Sequence, residues 1–403
     1  MNQAAKSRRA GGLRSMPAGV WALGLVSLLM DVSSEMIHAL LPVFLVGTLG
    51  ASYTFVGVME GVAEAIASIT KIFSGAVSDR LGRRKPLAVL GYGLAAVTKP
   101  MFALAPAAGW VLAARFIDRI GKGIRGAPRD ALIAEIASPA IRGAAYGLRQ
   151  ALDTAGAFAG PLLGIVLMAA TGDALRTVFW IAVLPAALSV GVLILFVREP
   201  PHPPQQGSAY SFRLALSSLG RAYWWLIVIA ALFTLARFSE AFLVLKADDA
   251  GLAVTFVPLV LVVMNVAYSL SAYPAGFVSD RFDRYGVLGL GAIVLIAGDL
   301  VLARADTVAG TLVGVVFWGV HMGFTQGLFA ALVADVSEEQ VRGTAFGVFN
   351  FVSGVVLLAA SVLAGVLWER FGSDVTFYTG AGLTAVACVA MWILHSTGQL
   401  RRA

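Results

Sequence analysis

The stretch Gly75-Ala-Val-Ser-Asp79-Arg80-Leu-Gly82-Arg83-Arg84-Lys85 returns, degraded, as Gly276-Phe-Val-Ser-Asp280-Arg281-Phe-Asp283-Arg284. The two aspartates are 280 − 79 = 201 residues apart. A second pair repeats at nearly the same offset. Ala-Leu-Ile-Ala-Glu135 running to Ile141-Arg142-Gly143 matches Ala-Leu-Val-Ala-Asp335 running to Val341-Arg342-Gly343, with 342 − 142 = 200. A chain that repeats itself across its midpoint consists of two similar halves. Two helical membrane bundles related in this way predict a transporter that works by alternating access.

Composition points to the membrane. Hydrophobic residues make up 59% of the 403 and charged residues 13%, against about 25% charged in soluble domains. Mean hydropathy is +0.83. A soluble domain cannot cover that much apolar surface. The net charge is +7, and basic charge is one mark of nucleic-acid binding. Here it sits in short turns between apolar runs, which is the positive-inside pattern of membrane proteins and excludes a nucleic-acid partner. The one cysteine, Cys388, lies in an apolar run, which excludes disulfides and cysteine metal sites within the chain. No cleavable signal is read, because the apolar run after Lys6, Arg8, Arg9 and Arg14 exceeds a signal-peptide core.

About 20 apolar residues span a bilayer. The sequence predicts twelve spans: 18–46, 55–77, 87–105, 110–133, 143–168, 175–197, 222–246, 254–278, 287–303, 310–333, 343–368 and 375–396. Even-numbered turns and both tails hold 18 Lys and Arg; the opposite side holds Arg176, Lys246, Arg304 and Arg370. That asymmetry places both termini in the cytoplasm. Residues 198–221 begin Arg198-Glu-Pro-Pro-His-Pro-Pro and read as a semi-rigid cytoplasmic linker, with a short surface helix expected over Ser211–Leu219. The expected organisation is a basic tail (1–17), a six-helix bundle (18–197), the linker, a second six-helix bundle (222–397) and a short tail (398–403). The class is an all-α, multi-pass protein of the cytoplasmic (inner) membrane, with the lipid bilayer as its surroundings.

The first of the repeated stretches resembles the signature of the major facilitator superfamily, Gly-x-x-x-Asp-Arg-x-Gly-Arg-Arg/Lys, at every defining position, and the resemblance covers essentially the whole chain. It implies the twelve-helix fold and a conformational latch formed by Gly75, Asp79, Arg80, Gly82 and Arg83. Asp280 and Arg281 belong to the degraded copy, where Asp283 replaces a glycine. The fourth span's Arg115-Phe-Ile-Asp118-Arg119-Ile-Gly121 is similar to the family's Arg-x-x-Gln-Gly-x-Gly, whose arginine is tied to proton movement. Asp118 and Arg119 depart from it. The fifth span's Gly156-x-x-x-Gly160-Pro161-x-x-Gly164 resembles the motif of the family's antiporter branches, chiefly drug exporters. The equivalent place in the second half reads Ala360-Ser361-x-x-Ala364.

Ionisable side chains inside a bilayer cost about 2.5–3.5 kcal/mol each and therefore face the bundle interior and mark function. The first half concentrates them. Asp31, Glu35 and His38 of the first span share one face within roughly 60°. Glu60 and Glu64 lie in the second span and Arg115, Asp118, Arg119, Lys122 and Arg125 in the fourth. Arg149 and Asp153 lie in the fifth. Depth alone pairs Glu60 with Arg115, Glu64 with Arg119, Glu35 with Lys122 and Asp31 with Arg125. The second half carries Arg237 and Glu240, Asp299, His321 and Gln326. Asp31, Glu35 and Arg115 are the expected proton-coupling groups. His38, Glu60, Glu64, Asp118, Arg119, Lys122, Asp153, Arg237, Glu240, His321 and Gln326 are expected to line the substrate cavity, with His321 more readily a hydrogen-bonded core histidine.

These residues predict a secondary active transporter of a small molecule, in the first place a proton-coupled exporter of a drug-like solute, organic anion or zwitterion acting as a monomer. Metal-ion or metal-chelate efflux using Glu35, His38 and Glu64, or proton-coupled uptake, are the alternatives, and a non-transporting scaffold is the third. No triad spacing or metal signature appears, so no enzyme, no resident metal and no cofactor beyond coupling protons is expected.

Overall fold

The computed structural model describes residues 16–81, 83–138, 141–200, 216–279, 283–338 and 341–399, with the backbone alone at 72, 75–76 and 79–81. Every regular element among the described residues is helical. In lipid a helix satisfies its own N–H and C=O groups, which an open strand cannot do. Among the described residues ten segments are long and apolar enough to cross a membrane: α1 (Ala18–Thr48), α3 (Lys85–Leu104), α5 (Arg142–Thr171), α6 (Leu175–Phe196), α7 (Arg221–Asp249), α8 (Val254–Ser279), α9 (Arg284–Arg304), α10 (Val308–Val336), α11 (Arg342–Phe371) and α12 (Ser373–Ser396). Two more helices, α2 (Tyr53–Leu81) and α4 (Ala108–Ile136), have 29 residues each. At about 1.5 Å per residue they are as long as their neighbours, but they carry the charged faces described above.

The span expected at 222–246 is interrupted. The first part of α7 ends at Ala236, Arg237 is extended (φ −108°, ψ 96°), and the helix resumes at Ala241. The 198–221 linker falls largely outside the described residues, as do Gly82, Asp280 and Arg281 of the expected latch. At Gly75, Asp79 and Arg80 only the helical backbone is described, and Arg83 is exposed.

Contacts divide the chain into two compact units: Met1–Leu41 with Ile66–Gly207, and Pro42–Ala65 with Ser208–Ala403. In the first unit, α1 packs against α5 and α6, and α3 against α4. In the second, α10 packs against α8 and α9, and α9 against α12. The 42–65 stretch joins the second unit through the start of α2. Gly57 makes this possible, since a Cβ there would lie 2.1 Å from the carbonyl oxygen of Ser361 on α11. Tyr53 stacks on Trp368 at 5.4 Å, and the Thr54 amide donates to Glu369 at 3.1 Å.

The internal repeat survives as matching contacts. Arg84 pairs with Glu135 at 2.9 Å, and its counterpart Arg284 pairs with Asp335. Each joins the start of the third or ninth helix to the end of the next. The degraded copy has its own use for Asp283, which caps α9 by accepting the Gly286 amide at 2.9 Å. At the start of α3 the side chain of Glu199 accepts the amides of Arg84 and Lys85 instead. Both helix starts thus gain a carboxylate where their unpaired N–H groups and the helix dipole favour one.

Candidate substrate and coupling site

The charged face of α1 is pressed against α5 by two glycines. A Cβ on Gly156 would lie 2.7 Å from the Leu28 carbonyl oxygen and 3.0 Å from the Asp31 Cβ. A Cβ on Gly160 would lie 2.7 Å from the Glu35 Cβ and 2.9 Å from the Val32 carbonyl oxygen. The motif glycines therefore allow the backbones to approach at the levels of Asp31 and Glu35. Gly164 and Pro161 are buried on the same helix. The small-residue spacing is the usual means of close helix packing in lipid.

One buried ion pair of the unit involves a residue that the sequence reading passed over. Lys99 of α3 is 1% exposed. Its Nζ lies 3.0 Å from Asp118 Oδ1 and donates to Ser34 Oγ of α1, also at 3.0 Å. Lys99 is nearer the α3–α4 turn than Asp118. Side chains lean toward the start of their own helix, so in this antiparallel pair the two lean toward each other. Asp118 also faces Arg119 Nε at 3.9 Å.

Arg119 reaches back to α1, where Nη2 stands 2.9 Å from Nε2 of His38. His38 Nδ1 is 3.6 Å from Glu35 Oε1. Glu35, His38, Arg119, Asp118, Lys99 and Ser34 form one chain of polar groups linking α1, α3 and α4. Toward the other end of α1, Arg125 lies over the Tyr92 ring at 4.7 Å, while Ser27 contacts the Tyr92 hydroxyl at 3.1 Å and accepts from Arg129 at 3.0 Å. Arg149 bonds Asp153 at 2.5 Å and Asp130 at 3.1 Å. Asp31 lies within electrostatic reach of Lys122, Arg125, Arg129 and Asp153. Arg115 is buried on the same helix face as Asp118.

The other expected cavity residues fall in the second unit. Glu60 is buried and Glu64 half-buried on the part of α2 grouped there. Arg237 and Glu240 flank the break of α7, both half-buried. His321 is buried, and its Nδ1 bonds the Gly291 carbonyl at 2.8 Å, tying α10 to α9. Gln326 is exposed.

Two all-helical units related by an internal repeat, the first with a buried charged face, fit a secondary transporter, and the comparisons agree. The Major Facilitator Superfamily model matches residues 23–246 and 226–402. The chain belongs to the major facilitator superfamily. It is 32% identical over 382 residues to an uncharacterized MFS-type transporter of Methanocaldococcus jannaschii, covering 93% of this chain and 94% of that protein. It is 30% identical over 158 residues to the multidrug resistance protein MdtH of Edwardsiella ictaluri, covering 39% of each. A POT family transporter solved in complex with 5-aminolevulinic acid shares the fold, with a TM-score of 0.80 at 13% identity over 97% of this chain and 98% of that one.

Proposed function

We propose that this membrane transporter exports a small solute from the cytoplasm, driven by protons moving inward, and acts as a monomer in the cytoplasmic membrane. One observation supports this reading most. The antiporter-like glycines Gly156 and Gly160 hold α5 against α1 at Asp31 and Glu35, the two carboxylates expected to carry protons. The helix motif and the titratable groups thus form a single contact. The partial likeness to a multidrug resistance protein favours export.

In this reading Asp31 and Glu35 take up protons from water on one side and release them to water on the other as the halves alternate, and the cations of α4 offset whichever carboxylate is ionised. His38 and Arg119 on the polar chain, with Lys122 near Asp31, bind the solute. Their cationic balance suits an organic anion or a zwitterion. The metal-efflux alternative would draw on Glu35, His38 and Glu64, and the growth panel below includes metals to test it. Fold alone does not fix the substrate.

The test has two stages. Growth of a deletion strain across drugs, organic acids and metals identifies the solute. Flux of that solute is then measured in proteoliposomes with an imposed pH gradient. The reading expects uphill efflux when the gradient favours inward protons. Flux that ignores the gradient, or a solute moving with the protons, overturns it.

A further inference from the structure

Lys99 and Asp118 have counterparts 200 residues later: Asp299 of α9 and Trp318 of α10. The second pair is as well buried as the first. Asp299 is 0% exposed, and its Oδ1 accepts the Trp318 indole N–H at 2.8 Å. The ammonium of the first half is replaced by a carboxyl, and the carboxyl by a neutral indole.

The other oxygen of Asp299 faces a closed, apolar place. Oδ2 has no hydrogen-bond partner among the described residues. A Cβ on Gly380 of α12 would stand 2.8 Å from Oδ2, 3.3 Å from the Phe238 ring and 3.4 Å from the Ala236 carbonyl oxygen. Ala236 ends the first part of α7, and Phe238 lies in the break. Phe238 packs on Trp318 at 5.4 Å and on Phe377 at 5.5 Å. No charged or titratable group of α7, α10 or α12 faces Asp299 among the described residues. Arg237, at the same break, lies within electrostatic reach of His321, one turn beyond Trp318 on α10.

A carboxylate ion with a single indole donor in such surroundings is far costlier than the neutral acid, because no cation offsets its lost hydration. We infer that Asp299 is a proton-binding site of the second half, loaded in this conformation and unloaded when the α7 break moves away from Gly380. Loading forms an O–H bond at Oδ2 with a proton delivered by water. Unloading returns the proton to water once the break admits it. The site deepens the proton-coupled reading by giving the second half its own carrier. The unloading step rests on that reading; the loaded state rests on the site alone.

Infrared spectroscopy of the full chain in lipid vesicles at neutral pH tests this. A protonated carboxylic acid gives its own carbonyl-stretch band, which moves in heavy water. The band is expected in the unmodified protein and in Asp306→Asn, and is expected to be lost in Asp299→Asn. Asparagine keeps the acceptor for Trp318, so the fold should hold. Trp318→Phe leaves the acid but removes its donor, and the band should shift in frequency, which decides the matter should Asp299→Asn fail to fold. An unchanged band in Asp299→Asn, or an unshifted one in Trp318→Phe, overturns the inference. Gradient-driven flux without an Asp299 band would reject this site and leave the exporter reading intact; the band without gradient-driven flux would do the reverse.

Discussion

Lys99 Nζ lies 3.0 Å from Asp118 Oδ1, and both side chains are at most 5% exposed. The pair joins α3 to α4, and the Lys99 bond to Ser34 extends it to α1. Breaking one member of a buried pair leaves the other uncompensated, at about 3–5 kcal/mol, whereas replacing both with apolar residues of similar size is often nearly neutral.

The first prediction follows. Lys99→Met alone and Asp118→Leu alone should each lower thermal stability sharply. The double change should recover most of the loss of stability, though not transport. Thermal unfolding of the three variants in detergent measures this. Losses that simply add would show that the two residues do not interact energetically.

The glycine contact gives a prediction of opposite signs. Gly160→Ala places a Cβ 2.7 Å from the Glu35 Cβ, so α5 must move away from α1. Overpacking of this kind costs about 1–3 kcal/mol. Gly147→Ala on the same helix meets nothing within 4 Å, and the better helix former should contribute about 0.5–1 kcal/mol of stability. Unfolding midpoints that move the same way in both variants would mean that the close approach at Gly160 is unimportant.

The matched ion pairs at the helix ends differ in exposure. Arg84 and Glu135 are 13% and 9% exposed, Arg284 and Asp335 29% and 55%. An exposed pair contributes about 0–1 kcal/mol. Asp335→Ala should therefore be nearly silent, while Glu135→Ala should destabilise by clearly more. Equal effects would show that burial does not separate the two halves here.

Much of the architecture was legible because the repeat and the apolar runs are direct marks of membrane helices. The charged faces of α1 and α4 also showed, since charge in lipid stands out. Lys99 did not, because a single lysine followed by Pro100 in an otherwise apolar span looks like an isolated interruption. Its meaning lies in Asp118, 19 residues on, and no helical period connects the two. Pairing by depth put Arg125 near Asp31, as found, but did not anticipate the contacts of Arg119 with His38 and of Arg125 with Tyr92. Long side chains lean by several ångströms along the helix, and a π face is as good a partner for a guanidinium as a carboxylate. The break in α7 left no glycine or proline signal at 237–240.

The basic asymmetry of the turns predicts that the 198–221 segment and both tails face the cytoplasm. Ser218→Cys, made in a Cys388→Ser background, should resist an impermeant thiol reagent in intact cells and react after lysis. Position 218 is exposed, so resistance would not arise from burial. Labelling in intact cells would invert the assigned orientation.

The last prediction concerns coupling. Asp31 and Glu35 are one turn apart on the face of α1 that Gly156 and Gly160 hold against α5. Two ionised carboxylates so placed repel each other, and the bases of α4 compete for both, so a proton and an anionic solute should draw on the same balance of charge. Replacing either carboxylate with its amide keeps the size of the side chain and removes the proton. Asp31→Asn and Glu35→Gln should therefore abolish uphill efflux under an imposed pH gradient. Downhill exchange of the same solute should survive, because exchange needs the site and the alternation but no net proton movement. Both rates are measured in the same proteoliposomes. Loss of exchange together with uphill efflux would make these residues solute ligands rather than proton carriers. Retention of uphill efflux in both variants would move the coupling elsewhere, with Asp299 the next group to test.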